Sequence, residues 1–341
     1  MPHRFTPPSA VLPGLLQRRT LLCGSVLAMG QRSVHAADSP WPANPIKIVA
    51  AQAPGSSNDS SARALSDYFT QKLGVPVVVD NKPGGVSMIA AEAVARANPD
   101  GYTLLIALNS QLAQAPVMIR KLPIDPDKDL LPIASLGVGP VTGVVHKDFP
   151  VRSIKELVDY ARKKPVNVGN YAIGSGWQLM LAQVSKETGA QFNIVNYKGT
   201  GAMLMDLFAG QVDIGAGSLA GMGGGIQKGN VRPVVVFSRK RSSRMPDVPT
   251  WTECGYKGPA FEDLVESNVL YAPARTSPAV IERIATLVQQ SFTESTRVKS
   301  VNELLAEDEP PLTGAALRQF IQRTWPSYRK LTKDLGVATA A

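Results

Sequence analysis

Residues 46–85 read IKIVAAQAPGSSNDSSARALSDYFTQKLGVPVVVDNKPGG. The short apolar run Ile46 to Ala50 reads as a strand, and Pro54 to Asn58 forms a turn. From about Asp59 to Leu73 the residues Ala62, Leu65, Tyr68, Phe69 and Leu73 recur near helical spacing. Gly74 ends that helix and Pro76 prevents its restart. Val77-Val78-Val79 is a second strand, closed by Asn81-Lys82-Pro83-Gly84-Gly85. Strand, helix and strand in this order imply a right-handed crossover and an α/β sheet.

The same alternation continues outward. A helix is expected over about 88–97, a turn at Asn98-Pro99-Asp100-Gly101, and a strand from Tyr102 to Leu108. That strand is apolar almost throughout, as a strand buried on both faces must be. A second set opens at Ser153-Ile154-Lys155-Glu156, a capping box whose helix Pro165 stops. Strands at 166–171, 192–196, 212–216 and 231–237 follow, with helices at about 178–188 and 202–208. Two amphipathic helices are expected at 278–295 and 313–333. The chain therefore reads as two α/β units with boundaries near 137–141 and 262–268. A binding cleft falls between such units, at the C-terminal ends of the strands.

Bulk properties agree. At roughly 150 residues per domain, 341 residues suit two domains. With 44% hydrophobic and 18% charged residues, 29 unperiodic glycines and two cysteines, disordered, collagen-like and disulfide-rich classes are excluded. The formal charge of +9 overstates the basicity. Residues 1–36 hold Arg4, Arg18, Arg19 and Arg32 and no acid, so the remainder carries a net +5. That suits small anionic ligands and falls short of a nucleic-acid surface; no nucleic-acid partner is expected. The densest basic cluster, Arg239, Lys240, Arg241 and Arg244, reads as a solvated loop.

Residues 1–36 read as an export signal. Arg18-Arg19 precede an apolar stretch from Leu21 to Met29, and Ser33-Val34-His35-Ala36 supplies small residues for cleavage after Ala36. The stretch is too short to span a bilayer. The paired arginines suggest the twin-arginine route, although an ordinary secretory signal also carries charge there. The mature protein is expected in the periplasm, with Cys254 as its one cysteine and hence no internal disulfide.

Several strand-to-helix loops are rich in small polar residues: Gly55 to Asp59, Asn109-Ser110-Gln111, Gly174 to Gln178, Lys198 to Gly201, and Gly215 to Gly221. Helix N-termini present free N–H groups and partial positive charge, so these loops suit a carboxylate or phosphate. Plain capping accounts for the same residues, and the two readings stand level. Enzyme signatures are sparse. His146 is the one histidine after residue 36, which excludes multi-histidine metal sites and most histidine-based triads. No nucleophile elbow and no phosphate-binding Gly-rich loop ending in Gly-Lys occurs. Gly215-Ala216-Gly217 resembles a dinucleotide turn, but position 220 is Ala220, and neither a cofactor nor a metal is expected. The glycine-rich run 221–225 reads as a flexible segment.

The stretches Pro45-Ile46-Lys47-Ile48-Val49, Pro54-Gly55-Ser56-Ser57-Asn58-Asp59, Val77 to Gly85, Asn98 to Leu105, Asn196-Tyr197-Lys198-Gly199, Gly210-Gln211-Val212-Asp213 and Pro246-Asp247-Val248-Pro249-Thr250 keep their order across nearly the whole chain after residue 36. In this the chain resembles the tripartite tricarboxylate transporter substrate-binding proteins, the TctC or Bug family. The resemblance implies a type II-like periplasmic binding protein, a Venus-flytrap of two α/β domains with a ligand cleft between them. Domain I would be 37–140 plus 264–341, and domain II 141–263. It implies a receptor rather than an enzyme, with no chemistry of its own. The ligand would be a small carboxylate, delivered to membrane permease subunits of such a transporter, and the receptor a monomer.

Carried over by position, the ligand contacts would be Ser56, Ser57, Asn58, Ser110, Gln111, Ser175, Gly176, Trp177, Thr200, Gly201, Ala202 and Ser218. Ser56 stands where the family has glycine, and Gly217 where many members carry an acid suited to amino groups. With that acid missing and Trp177 as an aromatic wall, a dicarboxylate or aromatic carboxylate is favoured. Two alternatives use the same residues: a periplasmic hydrolase pairing Ser175 or Thr200 with Lys198, and a ligand sensor for a membrane signalling partner.

Overall fold

Strand and helix alternate through most of the chain from Ile46 to Phe237, and the order in which the strands assemble sets the site. A computed structural model describes residues 41–138, 140–306 and 310–337. The expected export signal lies outside the described residues.

The first half runs β1 (Ile46–Ala50), α1 (Ser57–Leu73), β2 (Val77–Asn81), α2 (Met88–Ala95), β3 (Thr103–Leu108), α3 (Asn109–Met118), α4 (Pro126–Asp129) and β4 (Leu130–Val138). The middle runs β5 (Val141–His146), α5 (Ile154–Ala161), β6 (Val166–Asn170), α6 (Gly176–Thr188), β7 (Phe192–Asn196), α7 (Thr200–Phe208), β8 (Ile214–Ser218), α8 (Leu219–Gln227) and β9 (Val231–Phe237). The chain then continues through α9 (Pro259–Glu262), β10 (Ser267–Pro273), α10 (Pro278–Glu294), α11 (Thr296–Ala306) and α12 (Gly314–Asp334).

The strands form two five-stranded sheets, in the orders β2-β1-β3-β10-β4 and β7-β6-β8-β5-β9. The two orders match position for position. In each, the first pairings are parallel, as the strand–helix–strand pattern requires. In each, one strand runs antiparallel inside the sheet: β10 between β3 and β4, and β5 between β8 and β9. Both antiparallel strands begin where the chain has just crossed from the other sheet.

The apolar periodicity of α1 becomes burial, with Ala62, Leu65, Tyr68 and Phe69 in one core beside Ile46, Ile48, Leu104 and Ile106. A larger core takes the other face of the first sheet and continues into the second, from Val49, Leu105 and Leu112 to Val144, Val168 and Trp177. The described residues thus share a core across both sheets. Among them, no helix is long and apolar enough to cross a membrane.

Local signals explain most helix ends. Ser56, Ser153 and Ser175 each accept a backbone N–H three residues on, from Asp59, Glu156 and Gln178. In α5 the box is reciprocal in kind, since Arg152 N donates to Glu156 Oε2 at 2.8 Å. Two expectations change. Asn109-Ser110-Gln111, expected as loop, is the first turn of α3. The glycines 221–225, expected to be flexible, lie within α8. Two of them are small for packing: a Cβ at Gly221 would meet Thr200 Cγ2 at 2.8 Å, and one at Gly225 the Phe208 ring at 2.7 Å.

Candidate functional site

The C-terminal ends of β1, β3, β6 and β8 lead into α1, α3, α6 and α8, and residues of the two crossings between the sheets meet the starts of α1, α7 and α8 around one space. A small cavity of about 40 Å³, partly open to solvent, lies there. Its floor is made by the crossings: Leu136, Gly137, Pro140 and Val141 from the first, and Glu266, Ser267 and Asn268 from the second. Its walls are Ser57, Leu108, Tyr171, Thr200 and Ser218. Ser57 and Thr200 are the first residues of α1 and α7, and Ser218 is the N-cap of α8. Each such position leaves backbone N–H groups without helical partners.

Direct bonds close the cleft. Ala53 N donates to Lys198 O at 3.0 Å, joining the β1–α1 and β7–α7 loops. Gln111 Nε2 donates to Ile173 O at 3.0 Å, and Gln114 Nε2 to Gly174 O at 2.5 Å. Arg244 and Glu303 form an exposed ion pair between the loop after β9 and α11, at 3.2 Å.

The second crossing is held by a buried polar frame. Asn109 Oδ1 accepts from Ser267 N at 2.7 Å, while its Nδ2 donates to Val265 O at 2.9 Å. Asn268 Oδ1 accepts from Asn58 Nδ2 at 2.5 Å and from Ser57 Oγ at 3.4 Å. Asn268 Nδ2 donates in turn to Ser61. Glu266 bridges the two sides: its Oε1 accepts the Gly176 N–H at 2.5 Å and its Oε2 the Ser110 hydroxyl at 2.9 Å. Burial pushes its carboxyl up to about 7, against the opposing pull of the Gly176 N–H, Ser110 and the nearby Tyr171. The Tyr171 hydroxyl is itself buried and completes no hydrogen bond of ordinary geometry. Burial and the Glu266 charge raise it well above the ordinary range.

The structure divides the sequence-predicted residues into two groups. Ser57, Thr200 and Ser218 line the cavity. No hydrogen bond of the Thr200 or Ser218 hydroxyl is formed among the described residues, so both are available to a ligand. The others do structural work or lie elsewhere. Ser56 caps α1, and Asn58 holds Asn268. Ser110 and Gly176 hold Glu266, while Gln111 accepts from Ser87 and reaches across to Ile173. Ser175 caps α6 and donates to Asn170 Oδ1 at 2.7 Å. Gly201 and Ala202 are exposed and line no part of the cavity.

Trp177 requires a correction. It is fully buried, with its ring 6.0 Å from that of Trp251 and close beneath Gly143, so it forms no aromatic wall. The pairing of a serine with Lys198 also finds no support. Lys198 is exposed, and no hydrogen bond joins its side chain to Ser175 or Thr200. At Gly217, a Cβ would meet Thr200 Cγ2 at 2.8 Å, so the missing acid is also a steric requirement of this chain.

Sequence reading missed Tyr171 and the whole floor. The signal was present in another form. The segments 137–141 and 262–268 read as unit boundaries, and in a chain crossing twice between sheets those boundaries are the floor of the cleft. None of the lining residues is Lys, Arg or His. Among the described residues no group of His, Cys, Asp and Glu is arranged to hold a metal ion.

Comparison with known proteins accords with this arrangement. The family model described as the tripartite tricarboxylate transporter family receptor, TctC, matches residues 61–337. A UPF0065 protein of Bordetella bronchiseptica is 36% identical over 274 residues, 79% of this chain and 79% of its own. The structure of Rpa4515 of R. palustris with adipate superposes with a TM-score of 0.79 at 27% identity, covering 87% of this chain and 99% of that one. MatC of Rhodopseudomonas palustris with bound malate gives 0.74 at 25% identity, covering 85% and 99%. Two matched sheets, a cleft floored by their crossings and a family match over most of the described residues agree: the chain belongs to the tripartite tricarboxylate transporter receptor family, solute-binding receptors with the periplasmic binding protein fold.

Proposed function

We propose that this protein is a periplasmic receptor that captures a small organic carboxylate in the cavity between its sheets. It then presents the closed form to the permease subunits of a tripartite tricarboxylate transporter. The observation that carries the reading is the convergence of Ser57, Thr200 and Ser218, at the starts of three helices, on one cavity whose lining holds no cation. Hydroxyls and helix N–H groups can hold a carboxylate there without an arginine clamp. The adipate and malate bound by Rpa4515 and MatC support a carboxylate. The dicarboxylate branch of the sequence expectation draws on those two relatives. The aromatic branch loses its support with Trp177 in the core.

The lobes are taken as 37–140 plus 264–341 and 141–263, following the membership of the two sheets. Export with cleavage after Ala36 and action as a monomer belong to the same proposal. Ligand touches both lobes only when the cleft is shut, so binding shifts an open–closed equilibrium.

A thermal-shift panel of aliphatic mono- and dicarboxylates, hydroxy acids, aromatic carboxylates and amino acids tests this. A probe at about 100 times its Kd adds about 2.7 kcal/mol of stability. The expected result is a clear rise with some carboxylates, with the probe recovered unaltered. Chemical conversion of the probe would refute a receptor without chemistry, and a response only to non-carboxylates would refute the ligand class.

A further inference from the structure

We infer that Glu266 makes one pole of the cavity an acceptor, so that the ligand is a monocarboxylate with a hydrogen-bond donor at its far end (an amide, an amine or a hydroxyl) and not a dicarboxylate. The inference rests on the carboxylate-receptor reading and departs from the dicarboxylates of the two solved relatives.

Glu266 is the one Asp or Glu among the residues lining the cavity. Its two oxygens are pinned from opposite sides, by Gly176 N–H at the start of α6 and by Ser110 Oγ on α3. A carboxylate offers about four acceptor positions; with the neighbouring Tyr171 hydroxyl also drawn to it, one is left for a further donor. Among the described residues no cation pairs with it. Beside it the Tyr171 hydroxyl is buried, lines the same cavity and completes no hydrogen bond of ordinary geometry. Glu266 and Tyr171 together match a group that donates to the first and accepts from the second.

The hydroxyl pole is separate. Ser57 is tied to Asn268, which lies two residues beyond Glu266, at most about 7 Å along the chain. That is the length of a small linear molecule. A carboxylate held by Ser57, Thr200 and Ser218 thus leaves its far end at Glu266. Above about pH 7, where Glu266 is charged, a second carboxylate there would place two anions together with no cation between them, which burial penalises strongly. A donor satisfies Glu266 instead.

Calorimetry on the purified protein at pH 8.5 tests this with probes matched in length. These are adipate, its half-amide and 6-aminohexanoate, with succinate, its half-amide and 4-aminobutyrate as the shorter set. The expected result is that the half-amide or the amine binds at least tenfold more tightly than the diacid of its length, and that Glu266→Gln removes or reverses that preference. Diacid binding equal to or tighter than both analogues in the unsubstituted protein overturns the inference and leaves the carboxylate receptor standing. So does a preference that Glu266→Gln leaves unchanged. Binding of no carboxylate at all overturns both readings.

A second measurement needs no variant. The other titratable groups facing Glu266 are Tyr171 at the end of β6 and Tyr328 on α12. Burial and the Glu266 charge hold both hydroxyls well above their ordinary range, so neither titrates between pH 6 and 8.5. Protonating Glu266 at pH 6 should therefore narrow the preference for the half-amide severalfold. A preference constant from pH 6 to 8.5 contradicts the assignment.

Discussion

Glu266 is costly to keep charged. Its carboxyl moves from an ordinary value of 4.5 to about 7 on folding because burial strips it of water. Between those values the folded protein binds more protons than the unfolded chain, so stability falls as pH rises through that window. The loss is on the order of 3 kcal/mol, complete somewhat above pH 7. Urea unfolding of the unliganded protein at pH 5 and pH 8 should show this decline, and Glu266→Gln should show much less of it. Equal pH dependence in the two proteins would mean that Glu266 is better solvated than its surroundings indicate. Residue chemistry of this kind was the least legible part of the sequence. Ser56, Asn58, Ser110 and Ser175 were recognisable as polar residues at helix starts, but the partners of Asn58 and Ser110 are Asn268 and Glu266, which lie 210 and 156 positions away. A loop rich in serine and asparagine looks the same whether its groups face a ligand or another part of the chain.

Among elements, legibility followed local signals. The strand–turn–helix of 46–73 and the capping box of α5 carry periodicity and caps within a few residues, and they formed as expected. Replacing Ser153 by alanine removes the bond to Glu156 N and should destabilise the protein by about 1 kcal/mol, readable as a lower urea midpoint at unchanged slope. By contrast α3 starts on Asn109 after a leucine N-cap without a side-chain cap and contains Pro116, so no helical signal marked it. Helix α8 was hidden by its glycines; at Gly221 and Gly225 their reason is the close approach of α7 and not chain freedom. Gly221→Ala tests that account directly. Its Cβ would press on Thr200, so a loss of about 1–3 kcal/mol is expected together with weaker ligand binding, since Thr200 lines the cavity. Unchanged stability and affinity would show that α7 yields freely.

At the scale of the whole molecule, closure depends on a few close approaches between loops. Gly199 is one. It holds a positive φ of 151°, and a Cβ there would lie 3.4 Å from Ser56 and 3.8 Å from Ala53 across the cleft. A branched side chain adds methyl groups to that gap and strains the backbone. Gly199→Val should therefore hold the lobes apart. Small-angle scattering should show a larger radius of gyration in the presence of ligand, and affinity should fall more than tenfold. A variant that still contracts on binding would place the closing contact elsewhere. The two-sheet architecture was legible because alternating strands and helices admit few arrangements. Which strand enters which sheet was not, because β5 and β10 pair with strands that local pattern does not name.

The position of β10 also dictates an order of assembly. All strands of the second sheet lie within residues 141–237, so a chain emerging from its N-terminus can finish that sheet without waiting. The first sheet cannot finish, because β10 belongs between β3 and β4 and is made last of all the strands. Until residue 273 is available, β3 and β4 each present an unpaired edge, the kind of surface on which strands of other chains add. The middle of the chain therefore matures first, and the sheet built from its two flanking parts stays open to aggregation until the last strand slots in.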